Sequence, residues 1–241
     1  MVHTDIQANN VMMGSKDSRI FEKLLKEEND CPSARKITNG YTIYQSRKFT
    51  LDEIVENAGS LFLTDFGETR TQAEDWHGLI QPDPFRAPEV ILRMPWTAKT
   101  DIWNLGVMAW RLFEDHLLFE DCDDRGNHSD AHLLAHITAI LGPAPWSFIS
   151  RSPDRALYWD DKGNPLLTSP TSNGSSYSHI GEWIGKVNIP DDSLEESDER
   201  LLDNDLEKFA AFFQKMLQWD PQKRQSAAEL LKDEWLLDVS E

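Results

Sequence analysis

Cysteine is almost missing from this chain. Cys31 and Cys122 are the whole complement, too few and too far apart for a disulfide framework or a cysteine zinc site, which places the protein in a reducing compartment, cytoplasm or nucleus. No opening stretch joins a basic start to an apolar core, and no apolar run approaches the roughly 20 residues that span a bilayer. A soluble protein without a membrane partner is expected. Basic charge is scarce as well: 24 Lys and Arg stand against 42 Asp and Glu, a formal net charge of -18. Nucleic-acid affinity comes mainly from clustered Lys and Arg, so a direct nucleic-acid partner is not expected, and basic proteins are attracted instead.

What is present describes a packed protein. Hydrophobic residues make up 39% of the 241, and nine residues are Trp, enough to bury a sizeable core. Thr100 to Phe113, TDIWNLGVMAWRLF, is the stretch the rest is organised around. Ile102, Trp103, Leu105, Val107, Met108, Trp110, Leu112 and Phe113 fall on every face of a helix, and a helix apolar all round is one that protein encloses. Thr100 is placed as its N-cap, with Asp101 in the first turn where the positive helix end favours a carboxylate. Gly106 costs about 1 kcal/mol against Ala unless close packing requires it.

Along the chain, a helix is predicted over Asp17 to Asp30, capped by Asp17 or Ser18, with Ile20, Phe21, Leu24 and Leu25 as its apolar stripe. In RKITNGYTIYQSR, Asn39 and Gly40 tolerate positive φ between β-prone residues and mark a two-residue hairpin turn. Ser60 to Phe66 reads as a short strand, and residues 68 to 84 as a polar loop. Ala131 to Leu141 is helical until Gly142 and Pro143 stop it. Residues 143 to 200 carry little regular structure, anchored by Trp146, Phe148, Tyr158, Trp159 and Trp183. Asp205 to Gln218 is a strong amphipathic helix, and a last helix begins at Ser226, which Glu229 joins in a capping box. There is no internal repeat and no second composition regime, so one mainly α (α+β) body is expected.

Chemistry collects towards the amino end. His3, Asp5 and Asn10 stand as H-x-D-x-x-x-x-N, and Asp65, Phe66 and Gly67 follow a strand. Phosphoryl transfer needs a carboxylate to orient the attacking hydroxyl and oxygen ligands for the magnesium that bridges the phosphates. Asp5 suits the first role, and Asn10 and Asp65 the second. Either motif alone arises by chance, since an Asp after a strand is commonly a turn former. In order with Ala87, Pro88 and Glu89, and with the Asp101 helix behind them, the set is specific.

That set resembles the protein kinases. HTDIQANN looks like the catalytic loop of the SR-protein-specific kinases and their fungal relatives, which carry Thr where most kinases carry Arg. IQPDPFRAPEVIL, DIWNLGVMAWRLF and DAHLLAHITAILG are similar to successive segments of that family, and the match runs from Val2 to Leu237. The resemblance implies a serine/threonine kinase using ATP and Mg2+ on protein substrates, with Arg/Ser-rich proteins among the candidates. By it, Asp5 is the catalytic base, Asn10 and Asp65 hold the nucleotide-bound metal, and His3 supports the magnesium loop with Phe66 and Gly67. Asp101 holds the catalytic-loop backbone, and Glu89 pairs with Arg224 of WDPQKR. It also divides the single domain 1–241 into a catalytic loop 3–10, an insert 14–59, an activation segment 65–89 and the central helix 100–113.

Thr4, which that family shares, and two departures from its pattern carry consequences. Thr4 offers no charge for an activation-loop phosphate to neutralise, so obligatory phosphorylation of Thr69 or Thr71 is not expected. Gln7 stands where such kinases usually place Lys against the transferred phosphate, and a neutral amide implies a slower reaction. Two glycines nowhere fall as G-x-G, the spacing of the loop that covers ATP, so the expectation is the large lobe with the small lobe absent. A lobe left bare in this way has a rival reading, an inactive fragment or pseudokinase that binds a partner. Elsewhere, His132 and His136 have helical spacing but no third ligand, GEWIGK over residues 181–186 is one residue short of a P-loop, and the acidic run 191–207 could attract an Arg-rich peptide, as the kinase resemblance implies, although charge runs are usually just solvated loops.

Overall fold

A computed structural model describes residues 1–71, 76–159, 187–194, 196–198, 200–201 and 203–238. Where the sequence predicts one body, contacts divide the chain into two compact units, Asn9–Asp65 and Met1–Ala8 with Phe66–Glu241. The physical reason lies in burial: no residue from 11 to 65 is buried, so the smaller unit has no enclosed core.

The smaller unit consists of β1 (Val11–Ser15), α1 (Arg19–Asp30), β2 (Arg35–Thr38), β3 (Tyr41–Tyr44), α2 (Leu51–Asn57) and β4 (Ala58–Leu63). β1 pairs antiparallel with β4, from Val11 opposite Leu63 to Ser15 opposite Ala58. β2 and β3 form the predicted hairpin, with Thr38 opposite Tyr41 and Gly40 at φ 106°, a backbone region that favours glycine. α1 starts at Arg19; Ser18 stands at its cap position without a side-chain bond, while the Asp17 carboxylate accepts from the Arg19 N–H at 2.9 Å. The strand predicted at Ser60 begins two residues earlier and ends at Leu63. α2 and β1 are not foreseen. α2 is announced only by Thr50 and Glu53, a complete capping box.

The larger unit is helical: α3 (Pro88–Ile91), α4 (Lys99–Glu114), α5 (Asp130–Leu141), α6 (Trp146–Ile149), α7 (Asp203–Met216), α8 (Ala227–Leu230) and α9 (Glu234–Asp238). Its core gathers on α4. Trp103 stacks on Phe119 at 5.4 Å, and Trp110 meets Phe209 and Phe213 of α7 at 5.6 and 5.5 Å. A Cβ on Gly106 would stand 2.9 Å from Leu217 Cδ2 and 3.2 Å from Met216 Cβ, so the side chains at the end of α7 would have to shift to admit a larger residue here.

Several boundaries differ from the sequence reading. α4 is capped at Ala98, not Thr100, whose hydroxyl donates instead to Thr97 O at 2.9 Å. Its enclosure fails in the last turn, where Leu112 is 64% exposed. α5 is as predicted within one residue, with Ser129 as cap and Gly142 at φ 75° after its end. α7 lies two residues earlier than predicted. The single last helix becomes α8 and α9, split at Asp233, with the Ser226–Glu229 box in place. Phe148 and Trp159 are buried anchors, Trp146 and Tyr158 are half-buried, and Trp183 lies outside the described residues, as does GEWIGK. Among the described residues, no helix is long and apolar enough to cross a membrane.

Candidate active site

The first residues of the chain are held by the head of α4. The backbone N–H groups of His3 and Thr4 donate to the two oxygens of Asp101, at 2.8 and 2.9 Å. Burial pushes the Asp101 carboxyl above its ordinary 3.8, against the two amides that pull it down. Thr4 adopts φ 70°, a left-handed conformation that costs a β-branched residue about 1 to 3 kcal/mol and persists only where the surroundings over-determine it. Here they do. The Thr4 hydroxyl donates to Glu68 O at 3.0 Å, and Val2 and Arg70 exchange two backbone bonds of 2.9 Å.

This clamp presents Asp5. Its N–H donates to His3 Nδ1 at 3.3 Å, and Gln7 Nε2 donates to Asp5 Oδ1 at 2.9 Å. The His3 ring lies 5.1 Å from the Phe66 ring. His3, Asp5, Gln7, Phe66, Gly67 and Asp101 therefore all belong to the larger unit.

Asn10 and Asp65 belong to the smaller one. They flank β1 and β4 at the same end of the ribbon, where Asn10 O accepts from the N–H of Thr64 at 2.8 Å and from its hydroxyl at 3.0 Å. Asp65 has φ 61°. An amide oxygen and a carboxylate at one ribbon end are hard donors, which fit Mg2+ and do not fit a softer metal.

Below α4, Glu89 and Arg224 form a doubly hydrogen-bonded pair, Nη1 to Oε1 at 2.6 Å and Nη2 to Oε2 at 2.7 Å, with both side chains fully buried. Arg224 also donates to Gln218 O and Lys99 O, each at 3.0 Å, and its guanidinium lies over the Trp103 ring at 5.0 Å. A second polar network is not foreseen from the sequence. Gln81, at φ 71°, donates through Nε2 to Thr100 O and Asn104 Oδ1 at 3.0 Å, and accepts at Oε1 from Ala87 N–H at 2.8 Å. Asn104 Nδ2 in turn donates to Phe85 O at 2.7 Å. The signal available was Asn104 itself, a fully buried amide in an otherwise apolar helix, which demands partners.

Beside this network the buried Arg86 reaches Asp83, and Asp130 at 3.6 Å, while His128 bridges Asp121 at 2.7 Å and Asp130 at 3.0 Å. Asp83, Asp121 and His128 have metal-ligand spacing, but the Arg86 guanidinium already supplies the cation there.

The protein kinase domain family matches residues 1–236. The chain belongs to the protein kinase family. A serine/threonine protein kinase of Aspergillus fumigatus is 45% identical over 222 residues, 92% of this chain and 51% of that protein. The serine/threonine-protein kinase SRPK of Physarum polycephalum is 25% identical over 256 residues, covering 99% of this chain and 56% of that kinase. A solved kinase domain matches with a TM-score of 0.57 at 24% identity, over 98% of this chain and 59% of that one, and shows the same fold. The chain spans about half the length of the curated kinases it matches. Both of these curated relatives are named serine/threonine kinases, and this kinase chain carries the few short sheets and the helical body of that fold.

Proposed function

We propose that the protein transfers the γ-phosphate of Mg-ATP to Ser or Thr of protein substrates, and that this chain supplies the C-terminal lobe of the enzyme. The observation that supports it most is the clamp of Asp101 on the His3 and Thr4 amides. It fixes the backbone of the two residues that lead into the candidate base, which is how a carboxylate is kept aimed at an incoming hydroxyl. Asp5 orients that hydroxyl. Asn10 and Asp65 would hold Mg2+, which would supply positive charge to offset that of the phosphates. Gln7 steadies Asp5 and donates without neutralising. Thr4 joins Glu68 through a neutral bond, so the activation segment needs no phosphate to dock it.

The net charge of -18 and the likeness to a kinase named SRPK favour basic, Arg/Ser-rich substrates, and the reading places the protein in the cytoplasm or nucleus. The test is phosphorylation of an Arg/Ser-repeat peptide by the native protein and by Asp5→Asn. Loss of a catalytic base costs about 10²- to 10⁴-fold; an Asp5→Asn protein as active as wild type removes the proposal. The second reading, a binding module without catalysis, is favoured by the neutral Gln7 and by the lack of a G-x-G pair in this sequence. Peptide phosphorylation decides between them, and Mg-dependent ATP binding read by calorimetry would exclude a lobe inert towards nucleotide.

A further inference from the structure

The smaller unit leaves apolar surface open along α1. α1 has no buried residue, and its stripe remains uncovered, with Phe21 56% and Leu25 64% exposed. Facing it is Tyr44 of β3, 59% exposed. A groove of about 570 Å³ lies between, walled by Phe21, Leu24, Leu25 and Tyr44 and closed at one end by Glu28, Ser33 and Arg47. Its volume falls in the range of about 300–1,000 Å³ usual for binding pockets.

The polar end is built rather than incidental. Glu28 accepts from the Ser33 hydroxyl at 2.6 Å, from the Ser33 N–H at 2.7 Å and from Arg47 Nε at 2.6 Å. These bonds hold its carboxyl down at about 2, so the end wall keeps its charge pair at any physiological pH. Arg47 also reaches Cys31 O and, at 3.2 Å, Glu27 O, which ties the hairpin's base to the end of α1.

Charge selects the occupant. Residues 14–59 carry eight basic and eight acidic residues, so the whole net charge of -18 lies outside them. Residues 34–48 contain Arg35, Lys36, Arg47 and Lys48 and no acidic residue; Arg47 is engaged by Glu28 of α1, and Arg35 and Lys36 stand exposed on the hairpin. A basic partner is drawn to the rest of the chain, whereas an acidic one finds a complement at this hairpin. A unit with no enclosed core also gains most from a partner that covers its stripe.

We propose that the groove between α1 and the β2–β3 hairpin docks an acidic segment of a partner protein, whose leucine or aromatic side chains enter between Phe21, Leu25 and Tyr44. This reading is independent of catalysis. The experiment uses the full-length protein and a fluorescein-labelled amphipathic peptide of Leu and Glu, with a twin bearing Lys for every Glu, read by fluorescence anisotropy. The Glu peptide should bind, and about tenfold more weakly to Phe21→Ala/Leu25→Ala and to Arg35→Glu/Lys36→Glu. All four side chains are exposed, so unchanged circular dichroism is expected for both variants, and peptide-induced hydrogen-exchange protection of the hairpin amides gives a second readout. The proposal is overturned if neither peptide binds, if the Lys twin binds as well as the Glu peptide, or if either double variant binds like wild type. Capture of the protein on phosphatidylcholine vesicles through these same residues would also overturn it, in favour of a lipid surface.

Discussion

Glu89 and Arg224, 135 residues apart in sequence, meet face to face with neither side chain reaching solvent. Taking two charges out of water is expensive, and removing one partner strands the other. Arg224→Met or Glu89→Gln should each cost about 3 to 5 kcal/mol, while Glu89→Leu/Arg224→Met together should cost less than either alone. Urea denaturation midpoints of the four proteins check this, and a double variant worse than both singles would contradict it.

Gln81 satisfies three partners at once, and Ala in its place leaves the enclosed Ala87 N–H and Asn104 side chain short of theirs. Each stranded buried group costs about 1 to 3 kcal/mol. Gln81→Ala should therefore make the Ala87 amide exchange with solvent at a rate set by local opening, while the slowest amides of α4 keep their protection. Hydrogen exchange followed by NMR separates these outcomes.

Gln7 donates to Asp5 without bringing a charge. If phosphoryl transfer is the reaction, Gln7→Lys should raise kcat by on the order of tenfold, about 1.4 kcal/mol of barrier, with little change in the KM for peptide. Gln7→Ala should lower kcat. Steady-state kinetics at saturating Mg-ATP are the measurement, and equal rates for all three proteins would remove Gln7 from the machinery.

His128 feels opposing influences: burial pushes its pKa down, but hydrogen bonds to Asp121 and Asp130 outweigh it and raise the value above the ordinary 6.5. A raised histidine contributes stability that is fully present below its unfolded pKa and is lost as pH rises through the folded one. The clip joining Asp121, His128 and the start of α5 should accordingly be tightest below about pH 6.5 and loosen above the folded pKa. Thermal melts of wild type against His128→Asn across pH 5.5 to 8.5 should show the gap narrowing as pH rises.

Local rules made part of this fold legible. The hairpin at Asn39–Gly40, the limits of α5 at Ser129 and Gly142, and the box at Ser226–Glu229 each depend on residues a few positions apart, so the letters suffice. The same rule stands in Thr50 and Glu53, but a box without a long apolar stripe behind it does not announce a helix, and α2 is only seven residues long. Thr100 misleads because the helix already begins at Lys99, which leaves Thr100 inside the first turn with its hydroxyl donating to Thr97 O. The network of Gln81 is silent in sequence because its partners lie on α4 and at Ala87, joined only by the turn at positive φ. The division of Asp5 from Asn10 and Asp65 between two units is silent too, because spacing along a chain carries no information about which residues share an enclosed core.

The Asp101 bonds have one more implication. They attach the segment bearing Asp5 to a 16-residue rod whose middle is pressed against Leu217 and Met216 at a position where an added methyl group must push a side chain aside. Any force that tilts the rod is passed to the amino end as a displacement, so damage at Gly106 should surface as misaimed chemistry rather than simple unfolding.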